Sequence, residues 1–267
     1  MQADHSTNGL APAPSPLIEA KNLVKRFGGL LAVDGMSMAL GRGEMVGLIG
    51  PNGAGKTTLF NLIAGSIRPT SGEIRITNID VSREGPDKRI ARGVGRTFQI
   101  SRPFAEMTVL ENVLTGAQHQ SGERFWTNFI GHGRVATEER AAVEKARTLL
   151  DFVLLSKLQN EPARVLSGGQ RKLLELARIL MADPDVILLD EPAAGVNPTL
   201  LEVIIARVQE LNARGKTILL IEHNMEMVTR LCRRVVVMAA GKHLAEGTPA
   251  EVSSHPAVVG AYLGGVA

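Results

Sequence analysis

The sequence predicts an α/β fold built around a parallel sheet, and three observations lead there. From residue 166 onward, apolar runs of strand length alternate with helical periods, the pattern of βαβ units. The run Met45-Val46-Gly47-Leu48-Ile49 is continuously apolar, as a strand buried on both faces must be. It enters a glycine-rich loop that opens a helix. Between about residues 100 and 165 helical periods dominate, which marks an inserted segment of different character.

Each element follows from its local pattern. Residues 18–24 and 32–40 alternate apolar and polar and read as half-buried strands, with a turn at Phe27-Gly28-Gly29 between them. Gly41-Arg42-Gly43-Glu44 turns the chain into strand 45–49. Residues 57–64 read as a helix, and 72–76 with Ile79 as a hairpin-like strand region. Helical periods cover 108–116 and 137–152, separated by a glycine-containing insertion at 117–135 that holds the single Trp126. The second half reads as helix 170–181, strand 186–189, helix 199–214, strand 217–221, helix 224–230 and strand 234–238. Residues 1–16, polar and rich in Ala and Pro, read as a disordered tail ahead of one domain at 17–267.

Composition narrows the class. Of 267 residues, 44% are hydrophobic and 21% charged, as in ordinary globular proteins, while 3% aromatic content demands an aliphatic core. The net charge of +3, from 30 basic and 27 acidic residues, is too near balance to point to nucleic acid. The single Cys232 excludes an internal disulfide and reads as a small buried residue. No stretch approaches the roughly 20 apolar residues that span a bilayer, and the N-terminus shows no signal-peptide pattern.

Two motifs carry phosphate chemistry. Gly50-Pro51-Asn52-Gly53-Ala54-Gly55-Lys56-Thr57-Thr58 fits G-x-x-x-x-G-K-[ST] in the required strand–loop–helix setting. Its glycines let backbone N–H groups wrap phosphates, Lys56 supplies a point charge, Thr57 offers a Mg²⁺ ligand and Thr58 caps phosphate oxygens. Val186-Ile187-Leu188-Leu189-Asp190-Glu191 is an apolar strand ending in two carboxylates, where open parallel sheets bind ligands. Asp190 is placed to hold Mg²⁺ through water, and Glu191 to orient or deprotonate an attacking water. The bland alternative is a strand that ends in a solvated acidic turn.

A second anion site needs a separate explanation. Leu166-Ser167-Gly168-Gly169-Gln170 opens a helix, so its N–H groups and dipole point at negative charge. Read alone, Ser167 is also an ordinary helix cap. With the other two motifs, the chain resembles the ATP-binding cassette (ABC) family, whose signature is L-S-G-G-Q. The resemblance covers about residues 17 to 265. It implies a P-loop NTPase (RecA-like) parallel sheet with an antiparallel β subdomain and an inserted α-helical signature subdomain at about 100–180.

The resemblance also implies roles. Glu191 becomes the catalytic carboxylate, Gln99 of Thr97-Phe98-Gln99 a Mg²⁺ or water ligand, and His223, after strand 218–221, a hydrogen-bond donor to the γ-phosphate. The other histidines, His5, His119, His132, His243 and His255, read as surface residues. Phe27 would stack on adenine, the alternative being a core Phe, with Arg26 and Val33 beside the base. Asn197 stands where the family usually has an acid. The signature of one subunit would close over ATP held by a second cassette, so the active unit is a dimer working with ATP and Mg²⁺.

Further segments narrow the resemblance: residues 25–34, Gly95-Arg96-Thr97-Phe98-Gln99, residues 107–113, 191–198, 221–225 and the tail from Ala245 to Gly264. These are similar to the ATPase subunits of bacterial branched-chain amino acid importers. That implies ATP-driven uptake of branched-chain or related small amino acids or amides. It also implies two membrane permeases, a solute-binding protein and a place on the cytoplasmic face of the inner membrane, without nucleic acid. The competing readings are an exporter cassette, such as one for lipopolysaccharide, and a non-transport ABC ATPase.

Overall fold

Alternating burial on a continuous apolar strand puts each strand in contact with two cores, and the central sheet is built that way. The computed structural model describes residues 15–97, 103–118 and 132–263. The strands are β1 (Ile18–Phe27), β2 (Leu30–Leu40), β3 (Met45–Ile49), β4 (Ser71–Ile76), β5 (Ile79–Asp80), β6 (Val94–Arg96), β7 (Val186–Asp190), β8 (Thr217–Ile221), β9 (Arg234–Ala239) and β10 (Lys242–Gly247). The helices are α1 (Lys56–Ile63), α2 (Pro86–Ala91), α3 (Val109–Leu114), α4 (His132–Phe152), α5 (Gly168–Leu180), α6 (Pro198–Ala213), α7 (Met225–Leu231), α8 (Pro249–Ser254) and α9 (Pro256–Leu263).

A six-stranded sheet runs β10-β9-β3-β8-β7-β6, parallel except for β10. Val46, Leu48, Val186, Leu188, Leu219, Ile221, Val236 and Met238 enter one core with α1 and a four-stranded antiparallel sheet, β2-β1-β4-β5. Ile187, Leu189, Ile218, Leu220, Val235 and Val237 enter the other, with side chains of α3, α4, α5, α6 and α7. The period of 2 along each strand therefore fills both faces, which is why these strands read as unbroken apolar runs. At Gly47 a side chain would fit only tightly: a Cβ there would lie 3.3 Å from both Cys232 and Val228, which would have to yield by a few tenths of an ångström.

The helical segment inserts between β6 and β7. Thr108 caps α3 with a reciprocal capping box to Glu111, and Asn112, fully buried, ties α3 to the carbonyls of Phe104, Met107 and Thr108. Val109, Val113, Ala146, Leu150, Leu173 and Leu174 join α3, α4 and α5 to the core under the sheet. The helix expected at 137–152 begins earlier, at His132. The tail expected at 1–16 (residues 15 and 16 apart), Gln99, His5, His119, Trp126 and most of the 117–135 insertion lie outside the described residues.

Elements that the sequence reading passed over are short or edge pieces. β10 is largely polar and pairs with β9 through Ala240 (φ 48°) and Gly241 (φ 78°), two consecutive left-handed residues of the kind a tight hairpin needs. Alanine is an unusual choice there, so the turn gave no signal. β6 has three residues, and α2 and α8 six each, both starting at a proline. Cys232 is buried as expected, and burial pushes its thiol up to about 12. Among the described residues no helix is long and apolar enough to cross a membrane.

Candidate functional site

Register brings three strand ends together. Leu48 of β3 and Asp190 of β7 both pair with Ile221 of β8, the strand between them. The segments that follow, the 50–58 loop, Asp190-Glu191 and Glu222-His223, therefore emerge side by side at the carboxyl edge of the sheet.

The phosphate loop depends on close backbone approach. A Cβ on Gly50 (φ 148°) would lie 2.1 Å from the Met238 carbonyl oxygen, and one on Gly55 (φ 96°) 2.3 Å from that of Ala32. Gly55 precedes α1 with no side-chain cap, which leaves the first N–H groups of that helix directed into the loop. Lys56 Nζ donates to the carbonyls of Gly50 at 2.7 Å and Pro51 at 3.0 Å. Burial lowers its pKa, against the opposing charges of Glu191 and Asp190. An open cleft of about 540 Å³ lies over this loop, lined by Asn52 to Thr58, Leu30, Leu31, Ala32, Ala240, Glu191 and His223.

The carboxylates differ sharply. Asp190 is 1% exposed. Its N–H donates to Thr97 Oγ1 at 3.0 Å and its Oδ2 accepts from Arg96 at 3.1 Å, while Oδ1 has no protein partner. Burial raises its pKa, and the hydrogen bond and charge of Arg96 work against that. A buried acceptor aimed at nothing in the protein suits a metal-bound water. Among the described residues no cluster of three or more His, Cys, Asp or Glu could hold a metal.

Glu191 sits in the left-handed region at φ 48°, a conformation that a non-glycine residue keeps only when its surroundings hold it. Its N–H donates to Ile221 O at 2.9 Å, and its carbonyl accepts from Lys172 Nζ at 2.6 Å. Its Oε1 lies 3.3 Å from His223 Nε2. Behind them is Glu222, 2% exposed. One of its oxygens accepts from the Ala193 N–H at 2.6 Å, the other from the N–H groups of His223 and Asn224 at 3.1 and 3.2 Å. Burial raises its pKa even so.

Residues 166–170 do not line this cleft. Ser167 caps α5 in a reciprocal capping box with Gln170, Leu166 is buried, and Gly169 packs on α6, where a Cβ would meet Leu200 at 2.7 Å. Ser167 and Gly168 face outward. Phe27 is 48% exposed, which removes the core alternative; Lys25 Nζ stands 5.0 Å from its ring centroid. The cleft wall nearest it is Leu30 to Ala32, and Phe27 pairs with Leu30 across the hairpin. Val33, expected beside the base, is fully buried in the core instead. Asn197 caps α6 by accepting from the Leu200 N–H at 2.9 Å.

Residues 33–194 match the ABC transporter family model. The chain belongs to the ABC transporter family. A second model, for branched-chain amino acid ATP-binding cassette transporters, matches residues 242–267. The cassette is 40% identical over 250 residues to the high-affinity branched-chain amino acid transport ATP-binding protein BraF of Pseudomonas aeruginosa, covering 93% of this chain and 98% of the relative. It is 41% identical over 252 residues to the LivG protein of the same description from Escherichia coli K12, with the same coverage. Among solved structures, a nucleotide-free cassette from an ABC transporter superposes with a TM-score of 0.81 at 39% identity, covering 92% of this chain and 98% of that one. A cassette structure in the ADP conformation gives 0.81 at 40% identity, covering 94% and 99%. The cassette is accordingly a nucleotide-binding ATPase subunit of a transport system with the P-loop α/β fold.

Sequence reasoning left Arg96, Lys172 and Glu222 of this cassette without a role. Each acts through a partner distant in sequence or through backbone N–H groups, so no spacing announces it. The signal closest to hand was the placement of Arg96-Thr97 just ahead of Gln99, and of Glu222 just ahead of His223.

Proposed function

We propose that this cassette powers an importer of branched-chain amino acids or related small amino acids and amides. It would work as a peripheral subunit on the cytoplasmic face of the inner membrane, with two permeases and a solute-binding protein. The observation that carries the substrate class is the tail model at residues 242–267, together with relatives of that description matched over 93% of the chain.

The chemistry assigned to the site is ATP hydrolysis shared between two cassettes. The phosphates lie on residues 50–58, with Lys56 turned from the Gly50 and Pro51 carbonyls toward the β- and γ-oxygens. Phe27 takes the adenine edge of the cleft. Glu191 orients and deprotonates the attacking water, and His223 donates to the γ-phosphate and fixes the Glu191 carboxylate. Thr57, Gln99 and Asp190 would hold Mg²⁺, which would supply charge neutralisation on the phosphate oxygens. Residues 166–170 of a second cassette cover the ATP, consistent with the outward-facing Ser167 and Gly168 and with the absence of that segment from the cleft of its own chain.

The test is reconstitution in vesicles with a permease pair and solute-binding protein of a branched-chain amino acid importer. ATP-dependent uptake of labelled leucine, isoleucine, valine or a small amide is the expected result. Export of a lipid cargo with no amino acid or amide uptake would overturn the proposal.

A further inference from the structure

Arg96, the last residue of β6, joins two parts of the site. Its Nη2 lies 3.1 Å from Asp190 Oδ2. Its Nη1 donates to Asn61 Oδ1, and its guanidinium stands 5.8 Å from the Phe60 ring centroid. Asn61 and Phe60 belong to α1, the helix that begins at Lys56 and carries Thr57 and Thr58. The next residue, Thr97, holds the Asp190 backbone through its hydroxyl. The Arg96 side chain is only 11% exposed, so the contact is shielded from solvent.

We infer that Arg96 is the positioning residue of the metal-site carboxylate: by engaging Asp190 Oδ2 it fixes the side-chain rotamer and leaves Oδ1 alone, without a protein partner, for a metal-bound water. This rests on the reading of Asp190 as a Mg²⁺ residue. A carboxylate that is merely buried has two equivalent oxygens and a broad terminal torsion. A guanidinium fork anchored at the same time to α1 removes that freedom, and it sets the distance between Asp190 and the helix that bears Thr57. Outer-shell partners of metal ligands act in this way, and losing one typically costs roughly 10–100-fold in metal affinity. A purely structural ion pair would lower stability without a selective effect on the metal. Lysine could replace the charge but not the fork, since it cannot bridge Asn61 and Asp190 in fixed geometry.

The experiment measures Mn²⁺ binding to the ATP-bound full chain by electron paramagnetic resonance, in the Glu191→Gln background so that ATP stays intact. ATP affinity without metal and the urea midpoint serve as controls. Arg96→Gln should weaken Mn²⁺ by about 10-fold or more with little change in metal-free ATP affinity, and Arg96→Lys should fall between it and the parent. If Arg96→Gln does not fold, Arg96→Lys decides the matter. Unchanged or tighter Mn²⁺ binding in the Arg96 variants, with Asp190→Asn weakening it, overturns the inference alone. Unchanged binding in Asp190→Asn removes the Mg²⁺ reading of Asp190 and the inference with it.

Discussion

Glu191 Oε1 lies 3.3 Å from His223 Nε2, although the two residues close different strands, β7 and β8. The contact exists because Glu191 turns left-handed at φ 48°, with its N–H on Ile221 and its carbonyl on Lys172, which aims the carboxylate across β8. Replacing Glu191 by Gln keeps the shape and removes the proposed base. ATP hydrolysis should fall by about 10²–10⁴-fold, with ATP still bound and a dimer trapped on gel filtration. Phosphate release at the parent rate would remove Glu191 from the chemistry.

Ser167 caps its own helix and is outward-facing, so its effect on hydrolysis tests whether a second subunit uses it. Ser167→Arg should abolish hydrolysis while the isolated chain keeps the ATP affinity set by residues 50–58. Loss of ATP binding by the isolated variant would assign Ser167 to its own cleft instead.

Gly50 cannot take a side chain. An alanine Cβ would stand 2.1 Å from the Met238 carbonyl oxygen, at φ 148°. The backbone conformation alone costs a non-glycine residue on the order of 1–3 kcal/mol, and the clash adds to it. Urea denaturation of Gly50→Ala should show at least that loss, and nucleotide binding should fall with it. A stability equal to the parent would mean that the loop relaxes away from β9.

Glu222 gathers the N–H groups of Ala193, His223 and Asn224. Glu222→Ala leaves three part-buried donors without their protein acceptor, each costing at most about 1–3 kcal/mol; kcat should drop more than ATP affinity, because the displaced loops carry Glu191 and His223. Burial raises the folded-state pKa of Glu222 above its value of 4.5 in the open chain. A group raised in this way contributes its full stability below that value and loses it as pH rises through the folded pKa. The stability of wild type relative to Glu222→Gln should therefore decline from pH 4.5 upward; urea midpoints at several pH values read it, and a relative gain for wild type would contradict the shift.

Cys232 is buried and its thiol is held up at about 12, so little thiolate is available. It should resist a maleimide at pH 8 in the native protein and react in urea. Rapid native labelling, followed by mass spectrometry, would show that the Gly47–Val228 contact around it opens.

The strands that carry the site were legible because each is a continuous apolar run ending in its functional residue. The loop at 50–58 and the pair Asp190-Glu191 were legible because adjacent residues alone state their chemistry. Phe27 was not, because core and surface aromatics share the same local pattern, and only its pairing with Leu30 at the end of a hairpin decides its exposure. Val33 departs from its expected place beside the base because on β2 it points into the core, a direction set by the packing of the two sheets.

The linear sequence determined the α/β class, the phosphate loop, the acidic pair and the signature, since each is a property of neighbours along the chain. Tertiary structure alone decided which distant groups hold them: Arg96 on Asp190, Lys172 on the Glu191 carbonyl, Glu222 under both Ala193 and His223. The physical reason is that these contacts join strands and helices brought into register by the burial of two cores on one sheet, and a buried charge finds its partner across that packing rather than along the chain.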